Sequence, residues 1–172
     1  MSTETFTYDW SRFTKRVNIK AGIDTGIIYN AWATQQGLEK WFLRSAIFTS
    51  ADNAQSNTAS QVQPGDTYAW LWHGYDDATT EYGKILEANG TNYLKFVFGN
   101  AGTVTVSIYP EQNETIVELL QEDIPTDEKG KAYFHIGCST GWVFYLANLK
   151  SILEGGLDLR NKNVALQHVL TA

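Results

Sequence analysis

The chain has 172 residues, of which 43% are apolar, and this is enough for one domain with one hydrophobic core. Its formal net charge is −6 and its basic residues do not cluster, which argues against nucleic acid or an anionic membrane surface as a partner. The single cysteine, Cys138, excludes an internal disulfide, and no stretch approaches the roughly 18 unbroken apolar residues of a membrane span.

The first elements expected along the chain are a strand and two short helices. Residues 1–9 are polar and lack the apolar region of a secretory signal, so we expect a loose lead and a soluble, cytoplasmic protein. Residues 12–20 alternate between polar and apolar side chains, which predicts a half-buried strand. Asp24 or Thr25 can cap a helix that runs to about Thr34, and residues 36–42 predict a second helical turn. Gly37 weakens the join between them.

The middle of the chain predicts an antiparallel meander. Residues 45–50 form a possible strand, and residues 51–64 have almost nothing to bury, which predicts an exposed loop. Residues 67–73 predict a strand with Tyr68, Trp70 and Trp72 on one face. Four more strands are expected at 81–88, 93–98, 103–109 and 115–123, with turn residues such as Asn89-Gly90 between them.

A long helix is expected after the last strand, at residues 126–154. Acidic residues and Thr126 favour its start, and Gly155-Gly156 ends it. Two sets of side chains repeat at helical spacing on its apolar side: Phe134, Cys138, Gly141 and Tyr145, then Trp142, Leu146, Leu149 and Leu153. Gly137 and Gly141 lie four residues apart on one face, which indicates either close packing or pocket space.

The order of these elements, with several local motifs, resembles the START-like superfamily and specifically the family of the C-terminal domain of the activator of the Hsp90 ATPase. The motifs are Ile28-Tyr29-Asn30-Ala31-Trp32 leading to Leu38-Glu39-Lys40-Trp41-Phe42, then Tyr82-Gly83-Lys84-Ile85-Leu86-Glu87, then Gly141-Trp142 with Leu146, Leu149 and Leu153-Glu154-Gly155-Gly156. The resemblance covers about residues 12–160 of one START-like domain. It implies an α+β helix-grip fold, in which a curved antiparallel sheet grips the long C-terminal helix.

The resemblance also implies a cavity between the long helix and the sheet. We expect it to be lined by Trp41, Tyr68, Trp70, Trp72, Phe96, Phe98, Cys138, Gly141, Trp142 and Tyr145. The leading hypothesis is a non-catalytic protein that binds an apolar or aromatic small molecule, without a cofactor. The alternatives are a cyclase- or hydratase-like enzyme working in the same cavity, or a chaperone-linked or homodimeric scaffold whose aromatic residues form a solid core.

Residues that could carry chemistry are few. His135 and Cys138 are three apart on the expected helix and could share a metal ion, but two ligands do not make a site, so no metal is expected. His73 lies near Asp76 and Asp77, which fits either acid–base chemistry or an ordinary polar turn. Cys138 lies on an aromatic helix face, which favours inert packing over nucleophilic catalysis. No phosphate-binding glycine loop or nucleophile elbow is present.

Overall fold

The computed structural model describes residues 7–52, 54–166 and 169. Its strands are β1 Phe13–Ile19, β2 Ser45–Thr49, β3 Thr67–Leu71, β4 Glu81–Ala88, β5 Tyr93–Val97, β6 Thr103–Glu111 and β7 Glu114–Glu122. Its helices are α1 Thr25–Ala33, α2 Gln35–Trp41 and α3 Cys138–Leu153, and a π-helical segment, Gly130–Gly137, leads directly into α3. In this part of the chain the strands form one antiparallel sheet in the order β1-β7-β6-β5-β4-β3-β2.

The α+β class and the helix-grip fold are confirmed. The curved sheet carries its apolar side chains on one face, as the alternating burial of Val104, Val106 and Ile108 along β6 shows. Helix α3 lies against that face and buries Trp142, Leu146 and Leu149. None of the helices in the described ranges is long and apolar enough to cross a bilayer.

Gly37 does not weaken the connection between α1 and α2, because the two short helices pack closely against each other there. Asp24 caps α1 by accepting a hydrogen bond from Gly26 N at 2.7 Å, and Thr34 caps α2 by accepting one from Gly37 N at 2.9 Å. A Cβ atom at Gly37 would lie 2.0 Å from Asn30 O. Gly37 therefore permits the close contact between α1 and α2.

Residues 51–64 are mostly exposed as expected, but the expectation that they bury almost nothing is wrong at Val62. Val62 is only 3% exposed, and its backbone N–H donates to Ala33 O at 2.8 Å. Gln36 N donates to Thr58 O at 2.9 Å. The loop returns to the junction between α1 and α2 because the backbone groups left unpaired there find partners in it.

The long helix differs from the prediction near its beginning, because Gly130–Gly137 form a π-helix rather than an α-helix. A π-helical turn is wider than an α-helical turn and rotates the side chains that follow. As a result His135 is buried at 3% exposed, whereas Tyr133 and Ile136 are 69% and 53% exposed. His135 and Cys138 therefore do not lie on one face in the way that regular helical spacing predicts.

The segment after α3 fastens the end of α2. Arg160 is only 6% exposed, and its guanidinium donates to the carbonyl oxygens of Glu39, Lys40 and Leu43 at 3.1, 2.7 and 3.0 Å. Partial burial acts to raise the pKa of Asp158, but its hydrogen bonds with Arg160 and Lys162 outweigh this and hold that pKa below its ordinary value. These contacts fix the position from which the chain continues into Phe42.

Candidate functional site

A pocket of about 360 Å³ lies between α3 and one end of three neighbouring strands of the sheet. At this end β3 and β5 finish and β4 begins. Aromatic rings form most of its wall: Phe42, Trp72, Tyr75, Phe98, Tyr133, Phe134, Trp142 and Tyr145. The other lining residues are Thr79, Glu81, Asn100, Ala101, Gly137, Cys138 and Gly141. None of the residues that line it in the described part of the chain is basic.

The space in this pocket comes from two glycines on the helix side. A Cβ atom at Gly141 would meet nothing within 4 Å. A Cβ atom at Gly137 would meet only Ala132 O, at 3.7 Å. Because neither residue has a side chain, the helix presents bare backbone to the aromatic rings of the sheet.

The ten residues predicted to bind a ligand divide into two groups. Six of them line the pocket and form what we call the open half: Trp72, Phe98, Cys138, Gly141, Trp142 and Tyr145. The other four form the filled half, where Trp41, Tyr68, Trp70 and Phe96 are between 1% and 3% exposed and do not line the pocket. The rings of Tyr68 and Trp70 stack there with centroids 3.8 Å apart. Ligand binding by either group stays a prediction.

Trp142 connects the helix to the sheet through a buried polar chain that the sequence analysis missed. Its indole N–H donates to Gln121 Oε1 at 2.8 Å, and Gln121 Nε2 donates to Ala101 O at 2.9 Å. Gln121 is fully buried in β7. The alternation of β7 placed Gln121 on the same face as Val117 and Leu119, so the signal for its burial was present in the sequence.

Glu81 is the second residue that the sequence analysis missed. It is the first residue of β4, it lines the pocket, and burial raises the pKa of its carboxyl. A Cβ atom at Gly99 would lie 1.8 Å from Glu81 Oε1, so the carboxyl lies directly against the Gly99 backbone. No described residue forms a hydrogen bond or an ion pair with this carboxyl. The alternation of β4 places Glu81 on the same inner face as Ile85, so its direction could have been predicted, but the aromatic pocket around it could not.

The surroundings also raise the pKa of two further side chains in the pocket. Burial raises the pKa of the Cys138 thiol, and the charge of Glu81 adds to this while a hydrogen bond with Gln121 opposes it. Burial likewise raises the pKa of the Tyr145 hydroxyl. Cys138 is therefore held as the neutral thiol, which is the less reactive form.

The group of His73, Asp76 and Asp77 lies outside this pocket, in a more polar cavity of about 710 Å³. Asp76 accepts a hydrogen bond from Ala78 N at 3.1 Å, and Asp77 forms an ion pair with Arg44 at 2.5 Å. Burial, followed by the charges of Arg160 and Lys162, lowers the pKa of His73. Both carboxylates thus have partners that stabilise the turn, and neither forms a hydrogen bond or ion pair with His73 in the described structure.

His135 is used within the fold rather than beside Cys138. Tyr8 Oη lies 2.9 Å from His135 Nε2, and His135 Nδ1 lies 2.9 Å from Trp10 O. The rings of Tyr8, Trp10 and Phe13 surround the imidazole edge to face. Within the described ranges no three potential ligand side chains come together to hold a metal ion.

Comparison with solved structures gives consistent likeness over most of the chain. A crystal structure of a protein from Staphylococcus saprophyticus aligns with a TM-score of 0.63 at 18% identity, over 86% of this chain and 96% of that one. The solution structure of the Aha1 dimer from Colwellia psychrerythraea aligns with a TM-score of 0.63 at 21% identity, over 84% and 97%. DynU16, from the dynemicin biosynthetic locus, aligns with a TM-score of 0.65 at 13% identity, over 88% of this chain but 50% of DynU16.

At these identities the structural likeness establishes the fold alone. None of the curated proteins compared with the chain matches its sequence. The family model described as activator of Hsp90 ATPase homolog 1-like protein matches residues 26–154, which span both short helices, the sheet from β2 onward and the whole of α3. The chain therefore belongs to the family of activator of Hsp90 ATPase homolog 1-like proteins.

Proposed function

We propose that this protein is a carrier that binds an apolar or aromatic small molecule in the open half and does not change it chemically. The observation that carries the proposal is the unfilled space beside Gly141, where an added Cβ would meet nothing within 4 Å. A volume of about 360 Å³ is within the range of small-molecule sites, and the aromatic wall fits an apolar ligand. The raised pKa of the Cys138 thiol fits a role without nucleophilic catalysis.

An enzyme acting in the same pocket is the second candidate, and Glu81 is the observation that favours it. A partly buried carboxyl with a raised pKa is suited to act as a general acid or base. The structural likeness to a protein from a biosynthetic locus is compatible with such a role. A carrier returns its ligand unchanged after prolonged incubation, whereas a cyclase or hydratase releases a product that mass spectrometry detects.

We also propose that the chain forms a homodimer and has a link to a chaperone. The relative from Colwellia psychrerythraea is described as a dimer. Light scattering on the purified protein measures its mass against the 19.3 kDa of one chain. A mass of one chain at all concentrations would remove the homodimer proposal and leave the carrier proposal untouched.

The carrier proposal is tested with the neutral aromatic probe naphthylethanol. Trp72 and Trp142 both line the pocket, so we expect saturable quenching of tryptophan fluorescence with one probe per chain. The probe should also raise the unfolding midpoint, because it binds the folded form.

Gly141→Leu is the decisive variant because its side chain would extend into the open space. Val143→Leu is the matched control, since Val143 lies on the solvent side of the same helix and is 55% exposed. We expect both variants to fold, and only Gly141→Leu to lose the probe. Absence of saturable binding by the unaltered protein, or unchanged affinity in Gly141→Leu, would overturn the proposal.

A further inference from the structure

We propose that the ligand of this pocket is a small aromatic or apolar amine that binds as a cation, with the Glu81 carboxylate as its counter-charge. This inference rests on the carrier function proposed above and specifies the chemical class of the ligand. Its basis is one carboxyl, without a partner among the described residues, in a pocket lined mostly by aromatic rings.

The position of Glu81 is set by its strand and by the turn at Gly99. The residue begins β4 opposite Trp70 of β3, and its carboxyl lines the pocket against the backbone of Gly99. Gly99 has a φ of +47° and leaves the space that the carboxyl occupies. The neighbouring strands and this turn therefore direct the carboxyl to the pocket rather than to a partner in the protein.

The charge of the Glu81 carboxylate has no counter-charge among the described residues. No described residue forms an ion pair or hydrogen bond with the Glu81 carboxyl, and none of the described lining residues is basic. Glu81 is partly buried, and even partial removal of a carboxylate from water without a partner is unfavourable, so burial raises its pKa. A ligand cation would supply the missing partner, whereas an anion would be repelled and a neutral molecule would leave the charge unpaired.

Aromatic rings line the same pocket as the Glu81 carboxyl. Trp72, Phe98 and Trp142 line the same pocket, and aromatic faces attract ammonium groups that have lost their water. The net charge of −6 adds a weak long-range preference for cations over anions. The apolar wall and the single carboxylate together match a molecule that has an apolar body and one basic nitrogen.

The test uses three probes that share one aromatic body and differ in charge: naphthylethylammonium, naphthylethanol and naphthylacetate. Their affinities are measured at about pH 8, where an alkylamine is still protonated and the carboxylates are ionised. We expect the cation to bind at least about tenfold more tightly than the alcohol, which corresponds to one charge-assisted hydrogen bond. The anion should bind most weakly.

Glu81→Gln keeps the shape of the side chain and removes its charge. This variant should lose about tenfold or more in affinity for the cation and keep its affinity for the alcohol, which also shows that it is folded. Glu87→Gln is the matched control, because Glu87 is exposed on the same strand and does not line the pocket. It should leave all three affinities unchanged.

The outcomes separate this inference from the carrier function. If the alcohol or the anion binds as tightly as the cation, or if Glu81→Gln keeps its affinity for the cation, the inference is overturned and the carrier function stands. If none of the three probes binds saturably, both are overturned.

Discussion

Both the open half and the filled half contain tryptophan, tyrosine and phenylalanine side chains, yet only the open half lines the pocket beside α3. In the filled half, Trp41, Trp70 and the other aromatic side chains exclude solvent almost completely. In the open half, Trp72 and Phe98 meet a helix surface that lacks side chains at Gly137 and Gly141. The difference therefore depends on the small residues that face the aromatic rings, and not on the number of rings.

Removing the side chain in the open half that holds α3 to the sheet should have the largest effect on stability. Trp142 is 2% exposed, packs against Trp32, Phe42 and Phe98, and donates to Gln121. We expect Trp142→Ala to lower the free energy of unfolding by about 3–5 kcal/mol, because it leaves a cavity and an unpaired buried amide. Chemical denaturation measures this, and a loss below about 1 kcal/mol would mean that Trp142 does not hold the helix to the sheet.

Adding one methyl group to the filled half should cost less, but still clearly destabilise the fold. A Cβ at Gly83 would lie 2.3 Å from the Tyr68 ring and 2.6 Å from Val97 O. Tyr68 is 3% exposed and donates its hydroxyl to Val97 O, so it has no free space to move into. We expect Gly83→Ala to lower the free energy of unfolding by about 1–3 kcal/mol. An unchanged denaturation midpoint would show that this half is not closely packed.

The same methyl group in the open half should have the opposite sign. Gly141 is within α3, and its added Cβ would meet nothing within 4 Å. Gly141→Ala should therefore raise the free energy of unfolding by about 0.5–1 kcal/mol, because alanine loses less conformational entropy in a helix. Paired with Gly83→Ala, it sharpens the comparison. Destabilisation by both substitutions would remove the distinction between the halves.

The smallest effect is expected from the charge in the open half. Because burial raises the pKa of Glu81, the folded protein binds this proton more tightly than the unfolded chain does. The protonated Glu81 carboxyl therefore contributes stability at pH values below its pKa in the unfolded chain, about 4.3. This contribution is lost as the pH rises through the higher pKa of the folded protein. Relative to the unaltered protein, Glu81→Gln should gain stability across that range and then keep a constant advantage. Thermal unfolding at a series of pH values would contradict this if the difference did not change with pH.

The alternation of polar and apolar residues was sufficient to predict the strands and, for β6 and β7, the face that each one buries. It places Val104, Val106 and Ile108 inward on β6, and it also contains the signal for Gln121 on β7. The sequence pattern also indicated that Gly137, at the end of the π-helical segment, and Gly141, in α3, are unusual. The two meanings of this glycine pair, packing or space, depend on what lies opposite, which spacing along one chain does not specify.

Other features depend on contacts between distant segments. Val62 is buried because its loop pairs with the end of α1, and His135 turns inward because the helix begins with a wide π-helical turn. Glu81 faces the pocket because three strand ends meet at that edge of the sheet. The burial of Val62 and His135 is set by tertiary packing that overrides the local pattern, whereas Glu81 follows the alternation of β4 and only its surroundings come from distant segments.

The most direct test of the difference between the halves is a titration with naphthylethanol followed by the indole N–H resonances of the tryptophans in NMR spectra. We expect saturable shifts for Trp72 and Trp142, which line the pocket, and an unchanged resonance for Trp70, which is 2% exposed in the filled half. A shift of similar size for Trp70, or saturable shifts confined to Trp70, would contradict the difference between the halves.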